Sequence, residues 1–280
     1  MKYLRISAGA LKRFALFLRQ EERSAATIAK YLHDVGHFAA FAKDREVNKD
    51  TLLEYKQRLV ECYAVTSANS MIAATNAFLR FFGRHELCIK QFRVQRDAFC
   101  PQERELTRAE YLRLLEAARS RKNERLHLII QTICGTGIRV SELCYITVAA
   151  VRRGEATVNC KGKRRRIFLV RELQRRLLRY AEGQGIREGA VFITKRGAPV
   201  SRYIIWKEMK GLCREAGVSP EKVFPHNLRH LFARSFYQIE KDIAKLADIL
   251  GHANINTTRI YITTTCDEHR RKMERLRLIV

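Results

Sequence analysis

Apolar residues recur at helical spacing through the first third of the chain. Ile28, Tyr31, Leu32, Val35, Phe38 and Ala42 lie three or four apart behind Ser24, whose hydroxyl can accept from a free backbone N–H and start a helix. Asp50 can cap a second helix carrying Leu53, Tyr55 and Leu59, and Met71, Ala74, Phe78 and Phe81 line a third. With an opening helix around 11–18, these stripes can bury one another, which predicts a small bundle whose aromatic face is core.

Between Phe92 and Glu105 the period is lost, and Arg93, Arg96, Pro101 and Arg104 predict an extended basic linker. Thr107-Arg108-Ala109-Glu110 then has the form of a capping box, announcing a helix with Tyr111, Leu112, Leu114 and Leu115. After further helices, 156–160 and 166–170 read as two strands joined by a basic turn over 161–165, with a third short strand at 191–194. Helices return from Tyr203 to the end. The expected organisation is a helical domain over 1–92, a linker over 93–105 and a second domain over 106–280, and a length of 280 residues also favours two cores over one.

A hydrophobic content of 46% supplies both cores. Charge adds more: 54 Lys and Arg against 29 Asp and Glu leave +25, far beyond what solubility needs, so a polyanion, and nucleic acid in particular, is the expected partner. In the bundle, Lys43, Arg45, Lys49, Arg80, Arg84 and Lys90 gather near predicted helix ends, where they could hold phosphates. No apolar run reaches the roughly 18 to 20 residues that span a bilayer, and the first residues lead into a helix rather than a signal peptide, so a soluble, cytoplasmic protein is expected. The 8 cysteines are scattered, with no CxxC pair and no histidine cluster at zinc-ligand spacing, and read as reduced thiols without a metal.

Four short segments of the second domain carry candidate chemistry. In Gly135-Thr136-Gly137-Ile138-Arg139-Val140-Ser141-Glu142-Leu143, a glycine turn starts a helix with Arg139 and Glu142 one turn apart; alone, this reads as a surface ion pair. The run Lys161-Gly162-Lys163-Arg164-Arg165-Arg166 alone reads as a solvated charge run. In Pro225-His226-Asn227-Leu228-Arg229-His230, a buried stripe of Leu228, Leu231, Phe232 and Ser235 would leave His226, Arg229 and His230 on the neighbouring face, as paired phosphate donors. Finally, Gly251 ends an apolar helix, His252 follows in the turn, and Asn256 or Thr257 caps a helix carrying Tyr261. Tyrosine can form a covalent intermediate, although one on a short helix is ordinarily core.

Together and in this order, the four segments resemble the tyrosine recombinase, or phage integrase, family. That family's catalytic set is Arg, Lys, His-x-x-Arg, His or Trp, then Tyr; the matching positions are Arg139, Lys161, His226 with Arg229, His252 and Tyr261. Glu142 and His230 stand beside them as supporting residues, with Lys163 and Arg164 as DNA-contact candidates and Lys163 as the alternative to Lys161. Two positions depart from the pattern: Ala150 stands where many members have a carboxylate, and Thr263 where many have a histidine. Both bear on the subfamily and leave the reaction class intact.

The resemblance extends over essentially the whole chain. It implies a mainly α protein: an N-terminal helical, SAM-like core-binding bundle plus a mixed α catalytic domain with a small antiparallel β-sheet. It also implies site-specific cutting and rejoining of double-stranded DNA through a 3′-phosphotyrosyl intermediate, with no metal, ATP or other cofactor. The expected assembly is a homo-oligomer on DNA, a tetramer in synapsis, working in the cytoplasm on the nucleoid. The apolar tail of Met273, Leu276, Leu278, Ile279 and Val280 would dock on a neighbouring protomer, or else pack in cis, and no room is expected for a further domain ahead of the bundle. Competing readings are a type IB topoisomerase-like enzyme and a DNA-binding regulator with an idle site.

Overall fold

Ser7, Ser24 and Asn48 each accept a backbone N–H with the side-chain oxygen, at 3.2, 3.2 and 2.9 Å, and so fix where the first three helices begin. These are α1 (Ala8–Gln20), α2 (Ala25–Phe41) and α3 (Lys49–Cys62), followed by α4 (Val65–Phe81). The third helix starts earlier than expected: Asn48 is its cap, and Asp50 lies in the first turn, where its charge faces the partial positive end of the helix. The structure is a computed structural model that describes residues 6–43, 45–94, 105–160, 163–252, 254–261 and 274–275. Lys161, Thr263, most of the expected linker and the apolar tail lie outside the described residues.

The chain divides into two compact units, Met1–Arg96 and Asp97–Val280. In the first, the aromatic stripe is core: Phe14 meets Phe78 edge-on at 5.3 Å, and Phe38 packs on Tyr55 at 4.9 Å. Asn76 and Asn69 then bond the backbone of Ile89 and Phe92 from both donor and acceptor atoms, tying down the segment that leaves the bundle.

In the second unit, α5 (Arg108–Ser120) opens with the predicted capping box, in which Thr107 and Glu110 each accept the other's backbone N–H. The nearly continuous apolar helix α6 (Glu124–Thr136) buries Leu126, Ile129, Ile130 and Ile133. It serves as the hub against which α5, α8 (Arg171–Gly183) and α11 (Pro225–Glu240) pack. Between α6 and α8 lie a 3-10 helix (Val140–Tyr145), α7 (Val148–Arg153) and the antiparallel strands β1 (Glu155–Cys160) and β2 (Lys163–Phe168). The remaining helices are α9 (Arg202–Gly211), α10 (Cys213–Ala216), α12 (Ile243–Leu250) and α13 (Ile255–Arg259), making a mainly α protein with one small sheet.

Two strand expectations are corrected. Residues 163–165, expected in the turn, form strand: the register pairs Cys160 with Lys163 and leaves only 161 and 162 as the connection. Alternation makes this possible, because Arg164, Arg166 and Phe168 face solvent while Arg165, Ile167 and Leu169 point inward. At 191–194, among the described residues, Ile193 makes only an isolated bridge to Pro199. A tight turn closed by the Thr194 N–H on the Ala198 carbonyl ends the pairing there.

Candidate active site

Gly137 ends α6 at φ +65°, where a Cβ would come within 2.4 Å of the Phe232 ring, so the turn fits glycine on both strain and space. Two residues on, Arg139 caps the 3-10 helix, replacing the expected α-helix, and Glu142 curls back beneath it. One carboxylate oxygen accepts from the Arg139 backbone N–H and the other from Nη1, each at 2.9 Å. The pair is lopsided: Glu142 is 3% exposed and the Arg139 side chain 37%. Arg165 also donates to Glu142, from Nη2, and sends Nη1 to the Ile249 carbonyl at 2.9 Å. Burial acts to raise the Glu142 carboxyl, but the Arg139 N–H and the two guanidiniums outweigh it and hold the group below its ordinary range.

Helix α11 departs from the expected stripe. Arg229 is 1% exposed and Asn227 is buried, whereas Ser235 is exposed and Phe232 half-buried. One side of α11 packs on α6 and another on α12, so Arg229 is enclosed instead of edging the surface. Its guanidinium donates to the Gly137 carbonyl, to the Leu250 carbonyl at 2.7 Å and to His252 Nε2 at 3.0 Å. Among the described residues no carboxylate pairs with it, and burial with the nearby Arg139 charge lowers its pKa to about 10, which leaves it cationic at neutral pH.

Gly251, also at φ +65°, ends α12, with the Arg165 chain lying where a Cβ would stand. Asn254, rather than Asn256 or Thr257, caps α13 through the Asn256 N–H at 2.8 Å. Tyr261 falls just past that helix, its N–H on the Thr258 carbonyl at 2.9 Å. Its ring is 4% exposed, packed among Ala233, Leu246 and Leu250. The His252 ring stacks on it at 5.5 Å, His230 lies 4.3 Å away, and the hydroxyl is 3.5 Å from His226 Nε2. Burial and neighbouring arginines lower the pKa of all three imidazoles; His252 falls to about 4, while His230, which His226 also affects, falls to about 4. All are neutral at pH 7.

Beside this group opens a cleft of about 720 Å³ whose wall includes Arg139, Arg164, Arg165 and His252. The structure thus brings Arg139, Glu142, His226, Arg229, His230, His252 and Tyr261 together; Lys161 lies outside the described residues, and Arg164 is exposed on the outer face of β2, which Lys163 begins. In the first unit, Arg45 pairs with Glu54, Arg84 with Glu86 at 2.6 Å, and Lys49 donates to the Glu86 and Cys88 carbonyls. Lys43 and Arg80 are exposed and take part in no salt bridge among the described residues. Sequence reasoning missed Arg165, whose signal was its shared parity with Ile167 and Leu169. It also missed Thr258, fully buried, whose Oγ1 lies 2.8 Å from His252 Nδ1.

Residues 104–268 match the phage integrase family. The tyrosine recombinase XerA of Pyrococcus furiosus is 28% identical over 286 residues, covering 100% of this chain and 98% of the relative. The tyrosine recombinase XerC of Herpetosiphon aurantiacus is 30% identical over 282 residues, covering 92% and 91%. Among solved structures, XerA recombinase aligns with a TM-score of 0.54 at 26% identity over 97% of this chain and 99% of that one. XerH bound to a palindromic difH substrate, in a post-cleavage complex, aligns with a TM-score of 0.72 over 95% and 84%; at 18% identity this is a likeness of fold. The fold is that of the tyrosine recombinases. The chain belongs to the phage integrase family and is a tyrosine-type site-specific DNA recombinase.

Proposed function

We propose that Tyr261 is the nucleophile that cuts one DNA strand, with Arg139, Arg229, His226, His252 and Lys161 as the groups that make the attack possible. The observation that carries this reading is the Tyr261 hydroxyl 3.5 Å from the Nε2 of a neutral histidine, His226, beside the Arg229 cation. In the step, Tyr261 Oη bonds to the scissile phosphorus and its proton passes to His226 Nε2. The P–O5′ bond breaks, and the leaving oxygen takes a proton from the Lys161 ammonium. The products are a 3′-phosphotyrosyl link and a free 5′-hydroxyl; attack by a 5′-hydroxyl of a partner strand reverses the chemistry. One phosphoester replaces another, so no ATP is consumed.

The pentavalent transition state carries more charge on its non-bridging oxygens than the ground state, which is why fixed cations help. Arg139, at the cleft wall, can grip two of these oxygens; Arg229 supplies a second charge from a site that water does not screen. Glu142 and His230 support the set by holding Arg139 and flanking the Tyr261 ring.

The neighbours include XerH on difH DNA and lambda integrase both as a dimer on a core site and as a tetramer on a Holliday junction. These support the reading that both units of this chain contact duplex DNA, with Lys43, Arg45, Lys49, Arg80, Arg84, Lys163 and Arg164 as phosphate contacts, and that a tetramer forms in synapsis. The apolar tail would dock on a neighbouring protomer. A duplex DNA substrate implies work in the cytoplasm, on the nucleoid. Among the described residues, no helix is long and apolar enough to cross a membrane.

A suicide substrate tests the nucleophile: wild type should trap a protease-sensitive, SDS-stable adduct in the presence of EDTA, and Tyr261→Phe should bind the site without forming one. An adduct persisting in Tyr261→Phe would overturn the assignment, a divalent-ion requirement would point to a nuclease, and no adduct from wild type would favour the idle regulator. Relaxation of supercoils without synapsis of two sites would favour the topoisomerase reading.

A further inference from the structure

Arg165 and Arg229 hold consecutive backbone carbonyls. Arg165 Nη1 donates to Ile249 and Arg229 Nη2 to Leu250, the last two residues of α12, whose C-terminal carbonyls have no partner within the helix. The other arm of Arg165 is on Glu142, and the second oxygen of Glu142 is on Arg139. A continuous polar chain therefore runs from Arg139 through Glu142, Arg165 and the end of α12 to Arg229 and His252. Gly251 admits it, since a Cβ there would stand 2.4 Å from Arg165 Cδ.

The two ends of this chain come from segments far apart in sequence, the turn after α6 and the helix α11. The bond from Arg229 to the Gly137 carbonyl ties Arg229 to the turn, but it does not hold the Arg139 guanidinium, two residues further on. Arg165 can set the distance between the two, because a guanidinium is a rigid planar fork with fixed N–H directions, and both arms of this one are engaged within a side chain only 10% exposed.

We propose that Arg165 is a positioning residue: its fork, spanning Glu142 and the Ile249 carbonyl, fixes the spacing between the two arginines that receive the scissile phosphate. It acts through Arg139 and Arg229 and does not itself contact the phosphate. The inference rests on the charge-stabilising roles given to those two residues above.

The test is single-turnover formation of the Tyr261 adduct by wild type, Arg165→Ala, Arg165→Lys and Arg139→Ala. Each is measured on an ordinary phosphodiester and on one whose scissile group is a methylphosphonate, which lacks the ionised oxygen. Misplaced arginines should cost on the order of 10- to 100-fold on the phosphodiester. Arg165→Lys keeps the charge but cannot bridge both acceptors, so it should lose nearly as much as Arg165→Ala, with little change in DNA affinity. On the neutral substrate there is less charge to stabilise, and the variant-to-wild-type ratio should return toward one. An equal deficit on both substrates would mean general damage to the fold and overturn the proposal, as would a wild-type rate for Arg165→Lys on the phosphodiester. Arg139→Ala separates the two levels: if its own deficit fails to shrink on the methylphosphonate, the charge-stabilising role of Arg139 is wrong. If Arg139→Ala recovers and the Arg165 variants do not, only the positioning role fails.

Discussion

Arg229 Nη2 lies 3.0 Å from His252 Nε2, and a guanidinium nitrogen can only donate, so this Nε2 is an acceptor. The ring proton is therefore on Nδ1, where it donates to Thr258 Oγ1 at 2.8 Å. In the DNA-free protein His252 is a link between the buried arginine and the helix that precedes Tyr261. It can donate to a phosphate from Nε2 only after releasing Arg229 and acquiring a proton there, by protonation or by a change of tautomer.

That arrangement predicts acid sensitivity. The fold favours the neutral rings of His230 and His252, with pKa values of about 4, so the unfolded chain takes up protons first as pH falls below the ordinary histidine value of about 6.5. Stability should be fully present above that value and decline between about 6.5 and 4. Urea denaturation across this window should show the decline, and His252→Asn should flatten it. An unchanged slope in that variant would contradict the lowered pKa of His252.

Gly251→Ala should destabilise more than Gly217→Ala. Both glycines have positive φ, which costs a side-chain-bearing residue about 1–2 kcal/mol, but the space around Gly217 is open while Gly251 abuts Arg165. Gly251→Ala must therefore also displace Arg165 and should slow adduct formation. Gly217→Ala should lose stability alone. Denaturation midpoints and single-turnover rates distinguish the two effects.

Glu142→Gln should lower stability by about 3 kcal/mol at neutral pH, as expected when one partner of a buried ion pair is removed. Arg165 remains enclosed in that variant and Arg139 loses its anchor. The lowered carboxyl pKa means that the contribution of Glu142 is present above the unfolded-state value and disappears as pH falls through the folded one. The difference between wild type and Glu142→Gln should accordingly narrow in acid, as followed by denaturation at several pH values.

Lys161, not Lys163, is expected to protonate the departing 5′-oxygen. A substrate with sulfur at that bridging position has a leaving group that needs little protonation. Lys161→Ala should cut ordinary DNA poorly and the sulfur substrate nearly as fast as wild type, while Lys163→Ala should show one modest deficit on both. Rescue of Lys163→Ala alone would exchange the two roles.

Legibility in the sequence followed the range of the interactions. The Thr107–Glu110 box and the Gly251 helix stop depend on residues a few positions apart, and both could be read directly. The basic strand could not, because composition outweighed parity: a run of four cations suggests a turn until its third member is matched in phase with Ile167 and Leu169. The burial of Arg229 was hidden for another reason. A helix with one partner has one apolar stripe, but α11 meets both α6 and α12, and Arg229 bonds the chain at the ends of both, through the Gly137 and Leu250 carbonyls. The candidate site residues were named by type and order, whereas the bonding of Arg229 and Arg165 through main-chain carbonyls of Gly137, Ile249 and Leu250 has no trace in side-chain identity.

The enclosed Arg229 holds a full positive charge against carbonyls and an imidazole, with no acidic partner among the described residues. An interior cation satisfied only by dipoles is a tension within the fold, since dipoles orient around a charge without neutralising it. In the role proposed for Arg229, the scissile phosphate supplies a counter-ion, so that recognition of the substrate and completion of the protein interior would become one thermodynamic event. By linkage, an anion that binds the folded form raises its stability in proportion to RT ln(1 + [L]/Kd). The recombinase on DNA is in this sense a more finished protein than the recombinase alone.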